Sequence, residues 1–188
     1  WLAGQNLRTG DSWKFRIPIV DPVQFAEDGP LPCDPYTVGA FLANGTMPSG
    51  TPRLAVHNDD REEIIGYIDT EDVEVEYRPE QGRNGGNSFF RSSGSVRRKH
   101  SNALARKLYE AGVHGMKGQG KRIPERYLLA SVKDRLVLLR GLMDGDGHVT
   151  DGNSTVYSTS VRGLGEDVME LVRSLGGYAT MSEFERRG

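Results

Sequence analysis

Cysteine is almost missing from these 188 residues, with Cys33 standing alone. That excludes an intramolecular disulfide framework and a multi-cysteine zinc site, and it fits a reducing compartment. Long apolar runs are missing too: no stretch approaches the ~18 residues of a transmembrane helix, and the first twenty residues lack the charged-then-apolar pattern of a signal peptide. Trp1 stands where a start methionine would, so the ends read as those of a fragment or an excised piece. Apolar residues make up 36% and charged residues 27%, with 24 Gly and 9 Pro, the composition of a loop-rich globular protein rather than a fibrous, disordered or membrane-spanning one. The length predicts one domain, or two small halves packed on one core.

A large net charge is also lacking. The formal value of -2 argues against coating nucleic acid by bulk electrostatics, but the distribution is uneven. Nine bases (Arg91, Arg97, Arg98, Lys99, Arg106, Lys107, Lys117, Lys121, Arg122) face one acid, Glu110, within 32 residues. This local +8 leaves -10 for the remainder. Interleaved with Ser92, Ser93, Gly94, Ser95 and Ser101, the block has the composition expected for phosphate contacts; the bland reading is a solvated face.

What is present is an internal repeat offset by 102 residues. Thr37-Val-Gly-Ala-Phe-Leu-Ala-Asn-Gly45 and Leu139-Arg-Gly-Leu-Met-Asp-Gly-Asp-Gly147 both run as an apolar helix with Gly in third place, ending in Asn or Asp and then Gly. Asn44 therefore corresponds to Asp146. Leu54-Ala-Val56 and Val156-Tyr-Ser158 begin ten residues after them, and each is followed by a helical stretch, Asp60 to Ile68 and Leu164 to Leu175.

The first helix has Asp34 as N-cap, Pro35 at its first position and Gly45 suited to a left-handed stop. The second is expected to start at Ser131, with Asp134 in the capping-box place, and to end at Gly145 or Gly147. Gly39, Ala40 and Ala43, matched by Gly141 and Gly145, predict close backbone approach, which would set positions 44 and 146 side by side. Val73 to Tyr77 alternates as a strand and pairs with Ser88 to Arg91 across a Gly82 to Gly86 turn, and Ala103 to Ala111 is helical, stopped by Gly112. After Gly176-Gly177, Tyr178 to Phe184 alternates as a strand. The first half thus reads helix, two strands, helix, two strands, helix, and the second half lacks its last strand and helix.

Leu139 to Gly147 resembles the LAGLIDADG signature, with Gly141, Leu142, Asp144, Asp146 and Gly147 in place. Val38 to Gly45 resembles its looser first copy, and Lys121-Arg-Ile-Pro124 resembles a segment found upstream of the second copy in intein-borne members. The chain is similar to LAGLIDADG homing endonucleases of the two-motif, single-chain type. The resemblance implies a mixed α+β fold of two pseudo-symmetric αββαββα repeats, at 31–118 and 119–188 with the second truncated, after a linker or residual splicing-domain segment at 1–30. It further implies a monomer that hydrolyses both strands of DNA at a long recognition site with Mg²⁺, in the cytoplasm of a bacterial or phage-infected cell. Asp146 and the residue at 44 would be the metal ligands, with Lys121 near the cleavage centre as the third catalytic group. DNA would be held by Arg91, Arg97, Arg98, Lys99, Lys107, Lys117 and Arg122.

One departure bears on activity. Asn44 stands where the first motif presents an acid, and a neutral amide is a poorer Mg²⁺ ligand than a carboxylate. Efficient double-strand cleavage is therefore expected to be lost, and a non-catalytic DNA-binding module or maturase-like remnant is the alternative. The lysine that would pair with Lys121 is expected beyond Gly188. Splicing is not expected of this chain, which has neither an initial Cys or Ser nor a terminal His-Asn.

Two rival motifs fail. Asp144-Gly-Asp-Gly-His148 opens like a calcium loop but places Val149 at its sixth position and Thr155 at its twelfth. Gly115 to Lys121 nearly matches a phosphate-binding loop, but Arg122 follows where Ser or Thr must reach the metal. His148 is expected to start a strand, and His57, His100 and His114 to be surface or loop residues.

Overall fold

The computed structural model describes residues 20–26, 29–93, 102–113, 120–152 and 154–184, together with the backbone of two short strands, β1 (Arg8–Thr9) and β2 (Ser12–Trp13), which pair with each other. Its first half runs α1 (Pro35–Asn44), β3 (Gly45–Thr46), β4 (Arg53–His57), α2 (Arg61–Tyr67), β5 (Val73–Pro79), β6 (Gly85–Ser92) and α3 (Ala103–Glu110). A short α4 (Glu125–Leu128) leads into the second half: α5 (Val132–Asp146), β7 (Gly147–Val149), β8 (Thr155–Tyr157) and α6 (Arg162–Ser174). The fold is mixed α+β with antiparallel sheets, as expected. The first sheet has the order β3-β4-β6-β5, and β7 pairs with β8.

Local chemistry sets the two long helices. Asp34 accepts from the Thr37 N–H at 2.8 Å and from its hydroxyl at 3.1 Å, while Pro35 supplies a helical φ where no N–H is needed. Ser131 caps α5 by accepting from the Asp134 N–H at 3.1 Å and donating to its carboxylate at 2.7 Å. Gly45 is corrected by the structure: its φ is -83° and its ψ 149°, extended rather than left-handed. Space explains the glycine, since a Cβ there would collide with Phe41. Gly112 and Gly176 do adopt positive φ, 82° and 81°, and stop α3 and α6 as the sequence predicts.

Burial follows the period of each element. In β4 and β6, Leu54, Val56, Ser88 and Phe90 turn inward, and Phe41 of α1 stacks on Phe90 at 5.7 Å between ring centroids. Arg53, Ala55, His57, Asn87, Phe89 and Arg91 occupy the opposite face of the same strands. The core continues through Leu138 and Leu142 of α5, Leu104 and Leu108 of α3, and Leu164, Val168 and Leu171 of α6. Cys33 is buried beside it, and desolvation pushes its thiol up to about 12.

Two features depart from the sequence reading. Tyr178 to Phe184 forms no strand, and Tyr178 and Phe184 are 84% and 86% exposed; no strand lies beside this stretch among the described residues, and alternation without a partner ladder does not hold a strand. Arg135, unremarked in the sequence, is fully buried. Its guanidinium donates to the carbonyls of Ala130 at 3.0 Å, Ser174 at 2.9 Å and Val23, and stacks on Phe25. With Val23 N–H donating to the Ser174 carbonyl at 2.9 Å, it straps 20–26 onto the C-terminal end of α6.

Candidate active site

The site begins with two helices that touch backbone to backbone. A Cβ on Gly39 would lie 2.8 Å from the Leu142 nitrogen, and one on Gly141 would lie 3.0 Å from the Ala40 nitrogen. The two contacts are related by the 102-residue offset, so α1 and α5 cross with their C-terminal ends together. At that end the Asn44 side-chain N–H donates to the Gly145 carbonyl at 3.0 Å, which is why positions 44 and 146 are neighbours.

Asp146 closes α5. Its main-chain carbonyl accepts from the Ser158 N–H at 3.1 Å, fixing the helix end to the stretch after β8. Burial raises the pKa of its carboxyl, and the Lys121 charge offsets this only in part. A desolvated carboxylate at the partially negative end of a helix is a position that favours a cation.

Lys121 reaches the end of the other helix. Its ammonium donates to the carbonyls of Leu42 at 2.8 Å, Ala43 at 3.0 Å and Gly45 at 3.3 Å. Three donors thus meet carbonyls at the end of α1, where intrahelical partners run out. Burial lowers the lysine's pKa and Asp146 opposes the shift. Asn44, Lys121 and Asp146 line one open cavity of about 690 Å³, together with Thr46, Arg53, Ser158 and Thr159.

Among the described residues no three His, Cys, Asp or Glu side chains gather as a metal cage. One carboxylate, on Asp146, beside the Asn44 amide oxygen would leave most of the shell of a hard divalent ion to water and phosphate. These two donors do not suit an all-protein cage. Asp144, the other acid of the second motif copy, is held elsewhere: Tyr36 donates to it at 2.8 Å, Arg140 approaches at 3.6 Å, and it lines a separate cavity of about 310 Å³. Both acids lie within α5, whose helical backbone cannot serve as a calcium loop. His148 lies exposed in β7 and His57 exposed in β4.

Three of the bases predicted to hold phosphate are engaged with carboxylates. Arg91 pairs with Glu76, Lys107 with Asp69 at 2.6 Å and Glu71 at 3.2 Å, and Arg122 with Asp167 at 2.6 Å. Arg97, Arg98, Lys99 and Lys117 lie outside the described residues, as do His100 and His114. The sequence reading missed a cluster on the outer sheet face, where Arg53, Arg78 and Arg91 surround the Phe89 ring at 5.9, 4.9 and 5.8 Å. Hydrogen bonds from Arg78 and then Arg91 hold the Glu76 carboxyl below its ordinary range. Period-two alternation was its available signal, but the β4-β6-β5 order that brings these residues together is not local.

Residues 134–188 match the model of the LAGLIDADG-like domain. The chain is also 32% identical over 154 residues to a replicative DNA helicase DnaB from Mycobacterium intracellulare, an alignment covering 82% of this chain and 21% of that protein. The chain thus spans about a fifth of the length of the curated relative it matches. No helix among the described residues is long and apolar enough to cross a membrane.

Proposed function

We propose that this chain is the DNA endonuclease domain of an intein, built to hydrolyse both strands of a long, specific duplex site with Mg²⁺ and impaired at one half-site by Asn44. The observation that carries the reading is the convergence of Asn44, Lys121 and Asp146 on one cavity where two repeat-related helices end. The LAGLIDADG-like match over 134–188 supports nuclease or DNA-binding function. The helicase relative supports an insertion within a larger host, because a piece about a fifth of its length aligns with a chain that carries this domain.

Asp146 would hold the ion with its carboxylate and Asn44 with its amide oxygen, the rest of the shell coming from water and phosphate. When bound, a divalent cation lowers the pKa of water and stabilises charge on the reacting phosphate. Hydrolysis adds water across one P–O bond in each strand. The protein's own part is to place Lys121, whose ammonium can turn from the α1 carbonyls toward the negative charge that builds on phosphorus. From Arg53 at the cavity outward, the face that also carries Arg78, Phe89 and Arg91 would meet base edges, and the basic block from 91 to 122 would hold phosphates. A single chain with two unequal motif copies needs no partner to pair its helix ends, so it acts as a monomer, in a cytoplasmic setting.

One observation favours the rival reading of a binding module without chemistry: the Asn44 amide makes a hydrogen bond to Gly145 that a carboxylate cannot make. The deciding experiment selects bound duplexes from a random library and incubates them with the protein and with Asn44→Asp in Mg²⁺. Cutting of both strands of a long site by the Asp variant is expected. Binding of a preferred site with no cutting by either protein would give the rival reading its case.

A further inference from the structure

Lys121 lies on a linking segment rather than on a helix or strand, and something must aim it. Asp167 of α6, 2% exposed, accepts from the two residues that follow the lysine. Its carboxylate takes Arg122 Nε at 2.8 Å and a terminal guanidinium nitrogen at 2.6 Å, and the Ile123 main-chain N–H at 2.8 Å. Gly163, one turn earlier on α6, leaves the space for Arg122: a Cβ there would lie 2.7 Å from Arg122 Cδ.

We propose that Asp167 is a positioning residue, clamping Arg122 and Ile123 to α6 so that the Lys121 ammonium is held over the C-terminal carbonyls of α1. The clamp carries the second half's last helix to the first half's motif helix through one lysine. An ordinary surface ion pair would hold only the guanidinium. Here the bond to the Ile123 N–H fixes the main chain itself, two residues from Lys121, and the bidentate pair fixes its direction. Arg122, read from the sequence as a phosphate contact, is thereby given a second task. As a statement about catalysis, the clamp rests on the endonuclease reading above; as a statement about where Lys121 points, it does not.

The test acylates the lysines of the full chain with a small water-soluble active ester and follows each by peptide mass spectrometry, with Lys107 and Lys133 as internal references. Asp167→Asn keeps an acceptor for the Ile123 N–H and loses the ion pair, whereas Asp167→Ala loses both. Arg122 reaches solvent and rehydrates in either variant, its side chain being more than half exposed. Lys121 is expected to be protected in the unaltered protein, more reactive in the Asn variant, and about tenfold or more reactive in the Ala variant relative to the references, as loss of charge-assisted hydrogen bonding implies. Unchanged Lys121 protection in both variants overturns the clamp, and so does a parallel rise of all three lysines, which would mark Asp167 as a core residue alone. A parallel single-turnover assay on selected DNA, in the Asn44→Asp background, is expected to lose rate while affinity holds. If Lys121 is released yet no protein cuts DNA, the clamp stands and the nuclease reading falls.

Discussion

A carboxylate at position 44 would give up the donor that the Asn44 amide offers the Gly145 carbonyl and would set negative charge against oxygen. It would also stand at the negative end of α1, where the Lys121 ammonium is already engaged by three carbonyls and a further cation would relieve the added charge. Asn44→Asp is therefore expected to destabilise the metal-free protein by about 1 kcal/mol, the usual worth of a hydrogen bond at a half-buried site, and millimolar Mg²⁺ is expected to restore part of the loss. Chemical denaturation of both proteins with and without Mg²⁺ checks this; equal stability throughout would mean that the amide bond contributes nothing and that no ion binds between 44 and 146. Asparagine here reads as a residue that completes the helix pair without a metal. The single exchange alters the chemistry and the packing together.

At the scale of elements, the contact of α1 with α5 depends on absent side chains. A Cβ on Gly141 would lie 3.0 Å from both the Ala40 nitrogen and the Tyr36 carbonyl carbon, and neither is a flexible group that can move aside. Gly141→Ala is expected to cost about 1–3 kcal/mol by overpacking, despite the higher helix propensity of alanine, and to part the helix ends that carry Asn44 and Asp146. Gly66→Ala in α2 is the control: nothing lies within 4 Å of its added Cβ, so the same exchange should be neutral or gain up to about 1 kcal/mol. Thermal melts of the two variants decide; a gain of similar size in both would show that propensity, not contact, set the result.

Across the whole molecule, three of the seven tyrosines report on the integrity of the core. Burial raises the pKa of Tyr36, Tyr127 and Tyr157 above the ordinary phenol value, with Asp144 adding to the effect at Tyr36. The unfolded chain releases these protons near pH 10 and the folded chain retains them. The stability that these three phenols contribute is therefore whole below about pH 10 and falls as pH rises beyond it. An alkaline titration followed by phenolate absorbance should show a step worth three tyrosines that coincides with loss of helix by circular dichroism; ionisation of all seven while the helices persist would contradict the burial. Tyr127 also spans distant parts of the chain, accepting from the Cys33 N–H at 3.2 Å and donating to its carbonyl at 2.9 Å, so its release would loosen the entry to α1 from the segment around α4.

The sequence alone determined the elements and their order through the first half, because the interactions that start and stop them span a few residues: Asp34 with Thr37, Ser131 with Asp134, the positive φ of Gly112 and Gly176. It also determined the pairing of α1 with α5, since an offset of 102 residues repeats both the glycines and the polar residue that closes each helix. Neighbours within three or four residues are legible because chain connectivity already holds them together. Tertiary structure decided what connectivity leaves open. Gly45 is extended because Phe41 crowds it, and Tyr178 to Phe184 stays irregular, with no strand alongside among the described residues. Arg91, Lys107 and Arg122 meet Glu76, Asp69 and Asp167, partners 15, 38 and 45 residues away. The direction of Lys121, on which the proposed chemistry turns, belongs to the same class: carbonyls of one half receive it, and α6 of the other half holds the segment that bears it.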